Sequence, residues 1–370
     1  MTINGLATPA VLIDRARAER NIARMQTAAD DRSVRLRPHT KTHKSPIVAG
    51  WQIARGAIGI CCAKLGEAEV FAAAGIGDIR LPYPLHPANA DRVIALLGRT
   101  RLSFILDHPA VAKQWSEAMV RAGKRVEILV KIDVGFHRCG LDPDSRDTVA
   151  TIRAMAALPG LDFRGLLSHA GQAYHAHSED GLRLMAEAEV RTMSDLASWC
   201  RAKGLAVDEI SLGATPPARF SLQHAGFTEF RPGNYVYFDR TQVALGAATL
   251  DDCALTVLAR VVSKPAADRI ILDSGSKTLT NDGARGFAPA PGYGVILRDG
   301  QPDDTLLIER LSEEHATVKV LSGSTPLGPG DLVRIVPNHS CVVSNLVDQA
   351  WLADGDTVEP LPIAARGRIT

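Results

Sequence analysis

One unit recurs eight times between residues 34 and 236: a short β-branched run, a turn, then, in most cases, a stretch with helical periodicity. The runs are VRLRPHT (34–40), AIGICCA (57–63), DIRLPYP (78–84), RLSFILD (101–107), EILVKIDVG (127–135), LDFRGLLSHAG (161–171), VDEISLGATP (207–216) and TEFRPGNYV (228–236). Eight strand–helix alternations predict an α/β fold built on a (β/α)8 TIM barrel. An open doubly wound sheet is the rival, and the absence of GxGxxG after the first run counts against it. In LGEAEVFAAAG, Leu65, Ala68, Phe71 and Ala72 share one helical face, and Gly75 supplies the stop. A leading helix, DRARAERNIARMQTAA, takes Asp14 as N-cap and Ala18, Ile22 and Met25 as its stripe.

Past residue 245 the texture changes. CALTVLARVVSK, DRIILDSG, TLLIERLSEEHATVKVL and DLVRIVPNHS are β runs broken by Gly, Pro and Asp, with no amphipathic helix between them. The expected organisation is a barrel over residues 13–242 and a C-terminal all-β domain over 243–370. TPAVLID near the N-terminus reads as an isolated strand, so residues 1–12 are expected to join that second domain. The net charge of +1 leaves no basic excess for nucleic acid, and no run approaches the ~20 apolar residues of a membrane helix. The N-terminus lacks signal-peptide character. These features, and six dispersed cysteines without CxxC, fit a cytoplasmic protein with reduced thiols.

Catalytic groups of such barrels project from the C-terminal ends of the strands. The first run ends in His39, Lys41 and His43, while Lys44 reads as a surface residue opening the next helix. The fifth ends in DVGFHRCG with Asp133, His137 and Arg138, and the sixth in SHAGQAYHAH with His169, Tyr174 and His175. Thr215 ends the seventh, and Gly233 and Asn234 end the eighth. Loops after strands seven and eight are the recurring phosphate site of this architecture. A phosphate there and a lysine at strand one suggest a phosphorylated aldehyde held as a Schiff base, and pyridoxal phosphate satisfies both demands. Each of these residues also has an ordinary structural reading, as turn, core or ion-pair chemistry, which spacing does not remove. In PNHSCVVSNLVD, His339 and Cys341 stand two apart, so in an extended segment both face one side. An imidazole and a thiolate suit a borderline divalent metal, and two ligands leave the open positions of a catalytic site.

RPHTKTHK, GICCAKLGEAEVFAAAGI, GFHRCG, GATP, RPGNY, DSGSKTLTND, LSEEH and PNHSCVVSNLVD occur in that order. Together they resemble the D-threonine aldolase and D-serine dehydratase family, the metal-dependent members of the alanine-racemase-like, fold-type-III pyridoxal phosphate enzymes. The resemblance spans nearly the whole chain. It implies a barrel with a C-terminal β domain, a homodimer, and Lys41 as the Schiff-base lysine. It places His39, Arg138, His169, Tyr174, Thr215, Gly233 and Asn234 at the cofactor, and makes His339 and Cys341 ligands of zinc, manganese, cobalt or magnesium. Tyr174, His175 and a metal-bound water are the candidate bases for the β-hydroxyl, and Lys41 would take the Cα proton in a dehydratase. The implied activity is cleavage of D-β-hydroxy amino acids, of D-threonine type, to glycine and an aldehyde. The alternative is dehydration of D-serine or D-3-hydroxyaspartate to a 2-oxo acid and ammonia. Leu167 stands where the dehydratases carry tyrosine, which weakens that alternative, and Cys341 stands where some aldolases carry aspartate, which weakens the first. A metal-free amino-acid racemase and an inert cofactor carrier are the rivals from other classes.

Overall fold

The computed structural model describes residues 1–287 and 289–370. Strand β1 (Ala10–Asp14) precedes eight strands that run parallel: β2 (Arg35–Leu36), β3 (Ile60–Cys61), β4 (Asp78–Pro84), β5 (Arg101–Leu106), β6 (Val126–Lys131), β7 (Leu161–Leu167), β8 (Glu209–Leu212) and β9 (Glu229–Phe230). Their order is β2-β9-β8-β7-β6-β5-β4-β3. The ends meet through a parallel bridge between His39 and Cys61, with the Cys61 amide donating to Pro38 O at 2.7 Å. The sheet is therefore a closed barrel, and the open-sheet rival fails.

Three strands, β2, β3 and β9, are cut to two residues each, far shorter than their β-branched runs suggest. In the first, Pro38 has no amide to give the ladder, and the chain coils into a 3-10 turn at Thr40–Thr42. Pro232 does the same after β9. The helical stripes fall where expected. Asp14 caps the helix Arg15–Asp30 by accepting from the Arg17 amide at 2.9 Å. Leu65, Ala68, Phe71 and Ala72 of the helix Leu65–Ala73 are buried in the core between barrel and helices, with Phe104, Trp115 and Phe230. The inside of the barrel is ionic instead. Arg80 donates to Glu229 at 2.5 Å, Glu209 at 2.7 Å and Ser103 at 2.9 Å, and Arg37 donates to Glu229 at 2.8 Å.

The remaining strands are β10 (Leu255–Ala266), β11 (Arg269–Leu272), β12 (Val295–Arg298), β13 (Gln301–Pro302), β14 (Leu306–Leu311), β15 (Ala316–Val320), β16 (Leu332–Val336), β17 (Gln349–Asp354) and β18 (Thr357–Pro362). With β1 they form one ten-stranded sheet. β1 pairs antiparallel with β10 and parallel with β17. Two short helices interrupt this part, Ser276–Leu279 and Ser340–Leu346. The second carries the His-x-Cys motif to the mouth of the barrel.

Candidate active site

The barrel mouth holds two adjoining cavities, of about 460 Å³ and 160 Å³. Lys41, Arg138, His169 and Tyr174 line both. His39, Thr215, Gly233 and Asn234 line the larger, and His175, His339 and Cys341 the smaller. All eleven residues that the family resemblance places at the site thus line these cavities, whereas His43, Asp133 and His137 do not.

Lys41 owes its position to the 3-10 turn that ends the first strand. His39 caps the turn, its Nδ1 accepting from the Lys41 amide at 3.2 Å. That leaves the His39 Nε2 to carry the proton. Burial, then the neighbouring Lys41 and Arg231 charges, push His39 well below its ordinary pKa, so the ring is neutral. The other basic residues of the motif are structural. His43 is buried, held by Gln52 and by the Ser45 amide, and burial lowers its pKa to about 4. Lys44 is not the surface residue expected: it is 7% exposed and bonds Glu67 at 2.8 Å. Glu67 is itself fixed by the Ala63 amide at 2.7 Å, so a buried carboxylate waits for the lysine.

At the end of β6, the Asp133 Oδ1 accepts from the amides of Gly135, Phe136 and His137, each at 3.0 Å. This tight loop sets Arg138 over the Phe136 ring at 5.2 Å, with no ion pair among the described residues. His169 Nδ1 donates to Gly213 O at 3.0 Å, and burial followed by the Lys41 charge keeps this ring neutral too. Gly213 sits at φ +137°, and a Cβ there would lie 2.7 Å from the Arg231 amide nitrogen. Only glycine allows β8 to turn here, bringing Ala214 and Thr215 to the cavity wall. The amides of Ala214, Thr215 and Gly233 have no protein acceptor among the described residues. Thr215 Oγ1 accepts from the Tyr235 amide at 3.2 Å. The Asn234 side chain turns away from that wall, its Nδ2 donating to Asp239 at 2.6 Å and Ser340 at 3.2 Å.

His339 and Cys341 do not lie in an extended segment. His339 is the N-cap residue of the helix Ser340–Leu346, and Cys341 is in its first turn. The helix starts there because Asp239 takes the Ser340 amide at 3.0 Å. His339 Nδ1 meets Asp282 Oδ2 at 2.6 Å, which leaves its Nε2 toward Cys341. Burial opposes the charge on both groups, but each stabilises the other's. His339 rises to about 9 and the Cys341 thiol falls below its ordinary value, with Lys41 helping the thiolate. No group of three potential metal ligands forms among the described residues. Burial, reinforced by Cys341 and Asp239, raises the Tyr174 phenol above its ordinary value, so Tyr174 is a proton donor at neutral pH.

Three site residues escaped the sequence reading. Asp282 closes the GSKTLTND segment and Arg231 opens RPGNY, so both lay inside motifs that drew attention for other residues. Asp239 caps the short helix Arg240–Ala244 through the Gln242 amide at 3.0 Å, but its hold on the Ser340 amide, from a distant part of the chain, is not visible in the sequence.

A parallel eight-stranded barrel with a lysine after its first strand, joined to a separate sheet, defines the alanine-racemase-like class. A family model described as the alanine racemase N-terminal domain matches residues 13–241, and one described as a putative serine dehydratase domain matches residues 254–353. A D-threonine aldolase of Arthrobacter sp. is 35% identical, over 97% of this chain and 93% of its own. A D-threonine aldolase structure from Filomicrobium marinum superposes with a TM-score of 0.90 at 29% identity, over 100% and 98% of the two chains. A D-threo-3-hydroxyaspartate dehydratase variant solved in a metal-free form superposes at 0.91, with 33% identity over 98% of each chain. The chain belongs to this family of alanine-racemase-like proteins, whose relatives named here are lyases of D-amino acids.

Proposed function

We propose that the chain is a pyridoxal phosphate- and divalent-metal-dependent aldolase that cleaves D-β-hydroxy amino acids, of D-threonine type, to glycine and an aldehyde. The observation that carries the reading is the convergence of Lys41 with the His339–Cys341 pair on one cavity. The larger cavity suits the cofactor. Its lining includes Lys41, Lys64, Lys131, Arg138 and Arg231 and no carboxylate, which favours a phosphate dianion. The open amides of Ala214, Thr215 and Gly233 are the donors such an anion needs. Lys41 would hold the cofactor covalently, with Arg138 at its ring. The nitrogen and sulfur of His339 and Cys341 suit a borderline metal, and Asp282 on the far ring nitrogen fits the usual support of a metal-bound histidine. Bound there, the cofactor supplies an electron sink for charge developing at Cα, and the cation a Lewis acid for the β-hydroxyl.

The chain's own groups do the rest. His39 and His169, both neutral, keep positive charge off the ring wall beyond Lys41 and the arginines. Tyr174, held protonated, can donate a hydrogen bond, which leaves His175 as the side chain that takes the hydroxyl proton. In this proposal residues 13–242 hold the cofactor, and residues 243–370, with the strand in 1–12, bring the metal pair.

A dehydratase reading keeps the cysteine at position 341 and the likeness to the D-threo-3-hydroxyaspartate dehydratase. Leu167 argues the other way, since it lines the larger cavity with no hydroxyl to offer. Among the described residues no helix is long and apolar enough to cross a membrane. A cytoplasmic homodimer completes the proposal, supported by family likeness. The test is D-threonine with pyridoxal phosphate and a divalent metal, with and without chelator. Acetaldehyde and glycine, lost on chelation, are expected. Ammonia and 2-oxobutyrate would transfer the assignment to the dehydratase. No carbon–carbon cleavage of any D-β-hydroxy amino acid would end the aldolase reading.

A further inference from the structure

Thr42 touches both halves of the site, and the chemistry proposed above does not use it. Its side chain is fully buried, and its hydroxyl has one hydrogen-bond partner among the described residues, Cys341 Sγ at 3.2 Å. Asn234 Nδ2 donates to the same sulfur at 3.6 Å. Thr42 is the residue after Lys41 in the turn Thr40–Thr42, and Asn234 is the residue after Gly233, whose amide is open. The two loops are packed on each other: a Cβ on Gly233 would lie 3.1 Å from His39 Cβ and 3.5 Å from Thr42 Oγ1. The Cys341 sulfur therefore rests on both loops of the cofactor cavity, through one donor from each.

The contact is not a default of the turn. A threonine hydroxyl in a short turn commonly bonds nearby backbone, as Thr40 Oγ1 does with Cys61 O at 2.9 Å. Thr42 Oγ1 is directed instead at a residue 299 positions away. A cysteine that holds a divalent cation does so as a thiolate, so the hydroxyl then donates to it. Such a bond to a charged acceptor is stronger than one between neutral groups, and it depends on where the turn stands. The turn in question carries the lysine to which the cofactor is attached. A ligand that fixes the turn lowers the cost of ordering the sulfur for the second ligand.

Resting on the proposed function, we propose that Thr42 is a positioning residue that couples the two ligands of the site. Cofactor held on Lys41 tightens the cation at His339 and Cys341, and the cation tightens the cofactor by the same factor.

The test titrates zinc against a chromophoric chelator, on metal-stripped protein with and without bound pyridoxal phosphate. The parent should bind zinc roughly tenfold more tightly when the cofactor is loaded, the scale of one hydrogen bond to a charged group. Titrating the cofactor by its lysine-bound absorbance, with and without zinc, should return the same factor. Thr42→Val keeps the branched shape and removes the hydroxyl, so the factor should fall by at least about threefold, and Thr42→Ser should restore it. Thr42→Ala removes the same hydroxyl and replaces the valine variant if that one does not fold. A purely structural role would weaken zinc equally in both forms and leave the factor at its parent value, which would overturn the proposal. So would a parent in which neither ligand changes the affinity of the other. Both results leave the lyase reading standing, because both ligands still bind. A parent that binds no zinc, or holds no cofactor on Lys41, defeats that reading itself.

Discussion

Asp282 is the residue on which the metal reading is most exposed to test. Its Oδ2 lies 2.6 Å from His339 Nδ1, a charge-assisted contact that fixes both the tautomer and the plane of the ring. Changing Asp282→Asn keeps the side-chain volume and the backbone carbonyl that accepts from Asn338, so the loop stays in place. It removes the negative charge and halves the acceptor capacity facing the imidazole. Support of this kind is typically worth 10- to 100-fold in metal affinity, or about 1.4–2.7 kcal/mol. The side chains of His339 and Asp282 are 34% and 35% exposed, so water competes and the lower end, near tenfold, is expected. The assay is calorimetric titration of zinc or manganese into metal-stripped, cofactor-loaded protein, with a thermal melt alongside. The melt should barely move. An affinity within about twofold of the parent would refute the claim that Asp282 orients a ligand. Tighter binding would mean that Asp282 competes with the metal for the ring.

The other expectations follow from the same contacts. Lys41→Ala should abolish the visible absorbance of lysine-bound cofactor and all turnover, although Lys44, Lys64 and Lys131 remain nearby; retention of either would move the linkage to another lysine. Glu229→Gln should cost about 3–5 kcal/mol in denaturant unfolding, because two buried arginines lose their shared carboxylate. Burial opposes that carboxylate's charge, but Arg80 and Arg37 outweigh it and hold the pKa well below the ordinary value. Its contribution is therefore complete above about pH 4.3 and lost as pH falls toward the folded value. The Gln variant should show a flatter acid limb, and an equally steep limb would contradict the assignment. Gly213→Ala forces a Cβ to within 2.7 Å of backbone at Arg231, so cofactor retention on a desalting column should drop while the far-ultraviolet spectrum is kept; unchanged retention would show that the turn does not shape the anion site.

The order of elements was legible because strand-like runs recur from residue 34 to residue 236 with helical periods between most of them. Strand length was not, since prolines 38 and 232 end ladders that β-branched neighbours would otherwise extend. The site residues were legible because titratable side chains cluster at strand ends, where this architecture gathers them. What spacing could not give was the contact partner. Lys44 reads in the sequence as a surface residue opening a helix; only the fold buries it against Glu67 and leaves Lys41 at the open cavity. The His-x-Cys pair was found for a reason that the structure replaces. The two residues converge through a helix N-terminus capped by Asp239, not through strand alternation.

The barrel interior, silent in the sequence, explains why the cavity is so positive. From the floor upward the charges alternate: Asp78 with Arg37, then Glu229, then Arg80 with Glu209. The alternation ends on a neutral link. Ser211 donates to Glu229 at 2.5 Å and accepts from Arg231 Nε at 2.8 Å, and Arg231 then donates to Ser168 O. Arg231 thus reaches the cavity wall supported by a hydroxyl and a carbonyl, with no carboxylate bonded to it among the described residues. A guanidinium buried this way loses hydration that nothing in the protein fully replaces, and burial accordingly lowers its pKa. An anion in the cavity would supply what is missing. The ionic core therefore does more than fill the barrel: it fixes an arginine whose charge is left uncompensated on the side where the cofactor is proposed to bind.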